Sequence, residues 1–165
     1  MTTEPKVESR GEQHYMGIRT QVPMKGMSKA IRQLLSEVFA WLEKKGVSPA
    51  GPPFIRFHVI DMEALMDIEL CVPVAHALEG DGRVSPGVLP AGEYASLMYT
   101  GVRNGIKANG ALLNWGAEQG LVWDKWDTDK GDAFGGRAEF FLTDPAEEPD
   151  QAKWKTEVAI RLADK

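Results

Sequence analysis

The sequence predicts an α+β fold: tandem β-α-β-β repeats forming a pseudo-two-fold, mostly antiparallel sheet with two helices on one face. Three observations predict it. Trp41-Leu42-Glu43-Lys44-Lys45-Gly46 closes one amphipathic run and Trp115-Gly116-Ala117-Glu118-Gln119-Gly120 closes another, with Trp and Gly at the same spacing. Downstream, Phe57 and Asp61 match Phe140 and Asp144, and Glu69 matches Glu157, each at a wider offset than the pair before. In each copy the hydrophobic period runs from two to 3.6 and back to two, as in strand, helix, strand, strand. The elements keep their order while loops lengthen in the second copy.

The elements follow in turn. Residues 1 to 12 are polar and aperiodic and read as a flexible tail. Met16, Ile18, Thr20 and Val22 alternate with Tyr15, Gly17, Arg19 and Gln21 as in a half-buried strand. Ser28 offers an N-cap to a helix carrying Ile31, Leu34, Leu35, Val38, Phe39, Trp41 and Leu42 on one face, and Gly46 ends it. Pro52-Pro53 block continuation, and Phe54 to Ile60 form a second strand. A third follows, with Met66, Ile68, Leu70, Val72 and Val74 alternating against Asp67, Glu69 and Cys71. Residues 75 to 92 read as the linker between copies.

The second copy opens with a strand over Glu93 to Thr100. A helix follows from about Val102 to Gln119, weakened by Gly105 and Gly110. A loop holds Trp123, Trp126 and Phe134, aromatics that either plug the end of the seam between copies or line it. Strands over Arg137 to Thr143 and Trp154 to Leu162 complete the unit. With 165 residues, 43% of them hydrophobic, the chain suffices for one domain. Each half alone is small for burying its own sheet. The domain therefore spans 13–165, with repeat one about 13–77 and repeat two about 88–163. Trp41 and Trp115 are expected to anchor the helices to the sheet.

Composition narrows the function. A net charge of −5 disfavours the phosphate backbone of nucleic acid, and no basic helix or helix-turn-helix pattern occurs. The single Cys71 excludes an intramolecular disulfide and fits a reducing cytoplasm, with a buried, inert thiol expected. No signal peptide or membrane span is visible. His14, His58 and His76 lie in no ligand spacing, so haem, metal and other cofactors are not expected. Nucleophile and phosphate-loop motifs are absent as well.

Alternation distributes the charges between the faces. Ala138, Phe140 and Leu142, continued by Val158 and Ile160, form the face that apolar helices can cover. Glu139 and Phe141, Glu157 and Ala159, Glu69 and Cys71 then point to the helix-free face. On spacing alone these are ordinary solvated residues of an open sheet. The equivalence of Glu69 and Glu157, with aromatics nearby, makes the face a candidate acidic groove for a lipophilic cation.

The chain resembles the GyrI-like small-molecule-binding domain, also found as the effector-binding domain of AraC-type and MerR-type multidrug regulators. Three segments carry the resemblance. They are Met16-Gly17-Ile18-Arg19-Thr20 leading to Trp41…Gly46 and Ala50-Gly51-Pro52-Pro53-Phe54; Leu89-Pro90-Ala91-Gly92-Glu93-Tyr94-Ala95 leading to Gly101 and Trp115…Gly120; and Ala138-Glu139-Phe140-Phe141-Leu142-Thr143-Asp144-Pro145 followed by Trp154-Lys155-Thr156-Glu157-Val158. The resemblance implies a ligand groove between the copies, with Glu139 as its central carboxylate and Glu157 as a second.

There are departures. The last strand ends Ile160-Arg161-Leu162 where the family shows an Ile-Pro pair, and Arg56 stands at the first-copy position matched to Glu139. The expected lining is Glu139, Glu157, Glu69, Arg56, Phe141, Trp123, Trp126 and Tyr94. The function expected is that of a stand-alone binder of a lipophilic, cationic or aromatic small molecule. It would have no direct contact with nucleic acid or membrane, and the question of a protein partner or homodimer stays open. The alternative is a hydrolase of reactive cyclopropane-type electrophiles, as some GyrI-like proteins are, with Glu139 catalytic.

Overall fold

Every alternating segment forms a strand, and further strands lie where the sequence shows no period. The computed structural model describes residues 2–165. Its strands are β1 (Lys6–Arg10), β2 (Gln13–Val22), β3 (Phe54–Ile60), β4 (Met66–Pro73), β5 (Ser85–Leu89), β6 (Gly92–Thr100), β7 (Lys125–Thr128), β8 (Gly131–Phe134), β9 (Arg137–Phe141) and β10 (Lys155–Arg161). Two helices, α1 (Met27–Lys45) and α2 (Gly105–Glu118), follow β2 and β6. Leu34, Val38 and Leu42 recur every fourth residue of α1 and are buried. Gly46, at φ 70°, supplies the left-handed residue that ends the helix. Its start differs from expectation: Gly26 precedes the first turn, and Ser28 lies inside it.

The main sheet runs β1-β6-β10-β9-β3-β4-β2-β5, with the β7–β8 hairpin attached to β3 through β8. The copies meet at β3 and β9, where Ile55 lies opposite Glu139. Residues 6–10, expected in a flexible tail, pair with β6, and residues 85–89, expected in a linker, pair with β2. Each of these arms runs straight on into the first strand of its own repeat, yet pairs with the other repeat.

This exchange curls the sheet. Arg56 on β3 donates to the carbonyl of Val88 on β5 at 2.9 Å, although β4 and β2 lie between. In a flat sheet those strands would stand about 14 Å apart. The helix-free face is therefore the inside of the curl. Tyr15, Phe54, Cys71, Leu89, Tyr94, Ala138 and Ala159 are buried there without a helix to cover them. On the outer face α1 packs on β4 and β2, and α2 on β6. Their cores are Met16, Ile18, Ile68, Leu70 and Val72 under α1, and Ala95, Leu97, Val158 and Ile160 under α2.

Two expectations about β9 fail together. Glu139 sits opposite Val158, a residue of the core under α2, and Ala138 opposite Ala159 of the inner face. Glu139 and Phe141 therefore face the helices, while Ala138 and Phe140 face inward. Glu69 lies across from Arg56, and its counterpart Glu157 across from Phe140. Phe140 is thus the repeat equivalent of Arg56, and Ile55 that of Glu139. The sequence match was one residue out of register, and with period two such a slip changes the face. Apolar side chains mark both faces because the curl buries the inner one as well.

Candidate functional site

Two polar clusters occupy opposite faces at the junction of the repeats. The outer one lies in the seam between the helices, where β3 and β9 form the floor. There Glu139 is half-buried. Its Oε1 accepts from the Tyr99 hydroxyl at 3.0 Å, and its Oε2 lies 3.5 Å from Nδ2 of Asn109 on α2. Asn109 also accepts from Arg137 Nη2 at 2.9 Å. Burial pushes the Glu139 carboxyl above its usual value, outweighing the opposing pull of Tyr99, Arg137 and Asn109. Burial likewise lowers the Arg137 pKa. Phe141, two residues on from Glu139, packs against the core of the other repeat and walls the seam.

The inner cluster is an internal network. Glu69 Oε1 accepts from the Tyr15 hydroxyl at 2.6 Å and lies 2.8 Å from His58 Nε2. Arg56 donates to the Tyr15 oxygen at 3.0 Å and to the Gly135 carbonyl at 3.0 Å. Burial alone would raise the Glu69 carboxyl, but bonds from His58 and Tyr15, with the charges of His58 and Arg56, hold it below its usual value. Glu157 pairs with Arg10 at 2.9 Å, and the Arg10 guanidinium lies over the rings of Tyr94 and Phe140. Cys71 is fully buried, and burial raises its thiol pKa well above normal.

The expected lining therefore divides. Glu139 and Phe141 share the seam. Glu69, Arg56 and Glu157 face away from the helices and meet partners of this chain there. Tyr94 is buried and donates to the Pro90 carbonyl. Trp123 packs on Gly116 of α2 within the second core. Trp126 on β7 is 53% exposed. Trp41 and Trp115 are half-buried flanks of the two cores.

Tyr99, Asn109 and Arg137 were missed. Only Asn109 left a signal, as a polar residue beside Ala108 on the buried face of α2. The hollows on the outer surface of α1, one lined by Arg32, Gln33, Ser36, Glu37 and Arg83 and another by Phe39 and the loop to Pro49, include no residue of either cluster.

Solved structures share this fold. The EcmrR C-terminal domain aligns at TM-score 0.74 and 17% identity, covering 98% of both chains. In the EcmrR–DNA complex the alignment (TM-score 0.77, 18% identity) covers 98% of this chain but 58% of that longer one. A hydrolase from Listeria innocua aligns at TM-score 0.63 and 15% identity, over 97% of this chain and 92% of that one. SAV2435 bound to tetraphenylphosphonium aligns at 0.60 and 8%, over 98% and 94%. No curated protein matches the sequence. The family model of the GyrI-like small molecule binding domain matches residues 3–163. With that match over nearly its whole length, the chain belongs to the GyrI-like small-molecule-binding family.

Proposed function

We propose that the chain binds a lipophilic aromatic small molecule carrying a cationic group, taken into the outer seam with its positive centre toward Glu139. The observation that carries this reading is the state of Glu139. It is a half-buried carboxylate at the repeat junction, held by Tyr99 and Asn109, with no ion-pair partner among the described residues. Burial already disfavours its charge, so an arriving cation offsets a cost that the fold itself imposes. Phe141, only partly buried, supplies apolar surface beside it. The tetraphenylphosphonium of SAV2435 is a lipophilic cation of this kind and supports the reading. Glu69, Arg56, Glu157, Tyr94 and Trp123 serve the scaffold, and Trp126 stands free to meet a ligand.

Titration calorimetry with an aromatic cation and its neutral isostere tests the proposal. Glu139→Gln should weaken the cation by about 1–3 kcal/mol and leave the neutral compound nearly unchanged. Equal losses for both would overturn it.

A second reading draws on the hydrogen bond from Tyr99 to Glu139. A carboxylate with a raised pKa, held by a hydroxyl, can activate water against a bound electrophile, and the Listeria innocua neighbour is named a hydrolase. Mass analysis after incubation with strained electrophiles separates the two. A hydrated product that Glu139→Gln fails to form supports the enzyme; unchanged compound supports the binder.

A further inference from the structure

We infer that Arg137 gives the seam an anion-binding half, so that its preferred ligand is amphoteric: an aromatic molecule whose cation faces Glu139 and whose carboxylate takes the Arg137 guanidinium. This rests on the binding reading above and names its ligand class. Arg137 is only 8% exposed. Of its five N–H donors, one is used, by Asn109 Oδ1 at 2.9 Å. Nε is enclosed with no partner. The guanidinium lies 4.7 Å from the centre of the Phe134 ring. Neither Glu139 nor Asp132, the acidic groups nearest in effect, makes an ion pair with it among the described residues.

A guanidinium left this way is costly, since its Nε is shut off from water without an acceptor and the group has gained one neutral acceptor in exchange. The structure keeps it two residues from Glu139 on the same face of β9, with Asn109 between them, accepting from one and turned toward the other. Two opposite charges are thus held apart from each other in one seam. A ligand with both charges completes both, and the planar fork of arginine matches a carboxylate through two parallel bonds. The lowered pKa of Arg137 and the raised pKa of Glu139 agree with the same unmet need.

Rhodamine 110, a free acid carrying both charges, and rhodamine 123, its cationic methyl ester, form a matched pair of fluorescent probes. Anisotropy titration should show the acid bound roughly tenfold tighter than the ester by the wild-type chain. Arg137→Met should remove that preference without weakening the cationic ester, since it takes a like charge out of the seam. Arg137→Lys, which keeps the charge and loses the fork, should lose most of it. Ester bound as tightly as acid, or a preference that survives Arg137→Met, overturns the inference while leaving the binding reading in place. No binding of either dye counts against both.

Melting supplies a separate readout. Arg137→Met removes an unpaired buried charge and should melt at or above the wild-type temperature. A large fall would show that the arginine serves the fold and would overturn the assignment.

Discussion

Glu139 and Glu69 are the same residue type two strands apart on opposite faces of the sheet, and their environments push them in opposite directions. Glu139 has a raised pKa, so the folded chain holds its proton more tightly than the unfolded one. Its contribution to stability is full below the ordinary value of 4.5 and is lost as pH rises through the folded pKa. Glu139→Gln should therefore melt higher than wild type at neutral pH, with the gap closing in acid. A variant that melts lower at neutral pH would contradict this.

Glu69 has a lowered pKa. Its contribution is present above 4.5 and lost as pH falls through the folded value. Glu69→Gln should cost about 1–3 kcal/mol at neutral pH, because Arg56 loses a nearby counter-charge and the Tyr15 and His58 bonds lose their charged acceptor, and the cost should vanish in acid. Calorimetric melts across pH check both variants. That carboxylates matter here was legible in the sequence. Which face each one occupies was not, since that depends on a register one residue finer than the repeat match.

The helices show how one repeat position is filled in two ways. Counting from the matched tryptophans Trp41 and Trp115, Leu42 corresponds to Gly116. Leu42 fills the first core with its own side chain. At Gly116 the ring of Trp123 takes that space, packed against the glycine itself. Gly116→Ala should destabilise by about 1–3 kcal/mol through overpacking, although alanine is the better helix former. Gly110, whose added methyl would meet nothing within 4 Å, should gain up to about 1 kcal/mol as alanine. Chemical denaturation of the pair separates packing from propensity. The sequence marks Gly110 as a weak point of the helix and gives no sign of what Gly116 does, because the tryptophan that packs on Gly116 comes from a later loop.

The arms were illegible for a related reason. β1 carries one apolar residue, Val7, and β5 carries Pro86 and Gly87. Their strand character comes from a partner far along the chain. Removal of residues 2–10 should lower Tm by at least about 2–4 °C, as expected for the loss of about 1 kcal/mol in a domain this size. It should also free Glu157 from Arg10. A truncated chain that melts like the intact one would show the arm to be dispensable.

At the scale of the molecule, the fold class, the repeat, both helices and six of the strands were readable because hydrophobic period is local. The curl was not, because it arises from the arms pairing across the repeat boundary. That curl decides which carboxylate the proposed site can use. It encloses Glu69 in a network with Tyr15, His58 and Arg56 and leaves Glu139 in the outer seam without an ion-pair partner among the described residues.

The arms also say how such a chain can be divided. β1 belongs by connection to the first repeat and by pairing to the second, and β5 the reverse. Two subunits that trade their leading strands around a two-fold axis have the same geometry, here joined end to end through residues 74–84. The first half made alone, residues 2–78, would carry an arm with no β6 to receive it and a β2 edge with no β5 to cover it. A second copy of that half offers both. The isolated half is therefore expected to assemble as an arm-exchanged homodimer with β3 paired to β3, and sedimentation would show twice the mass of the fragment.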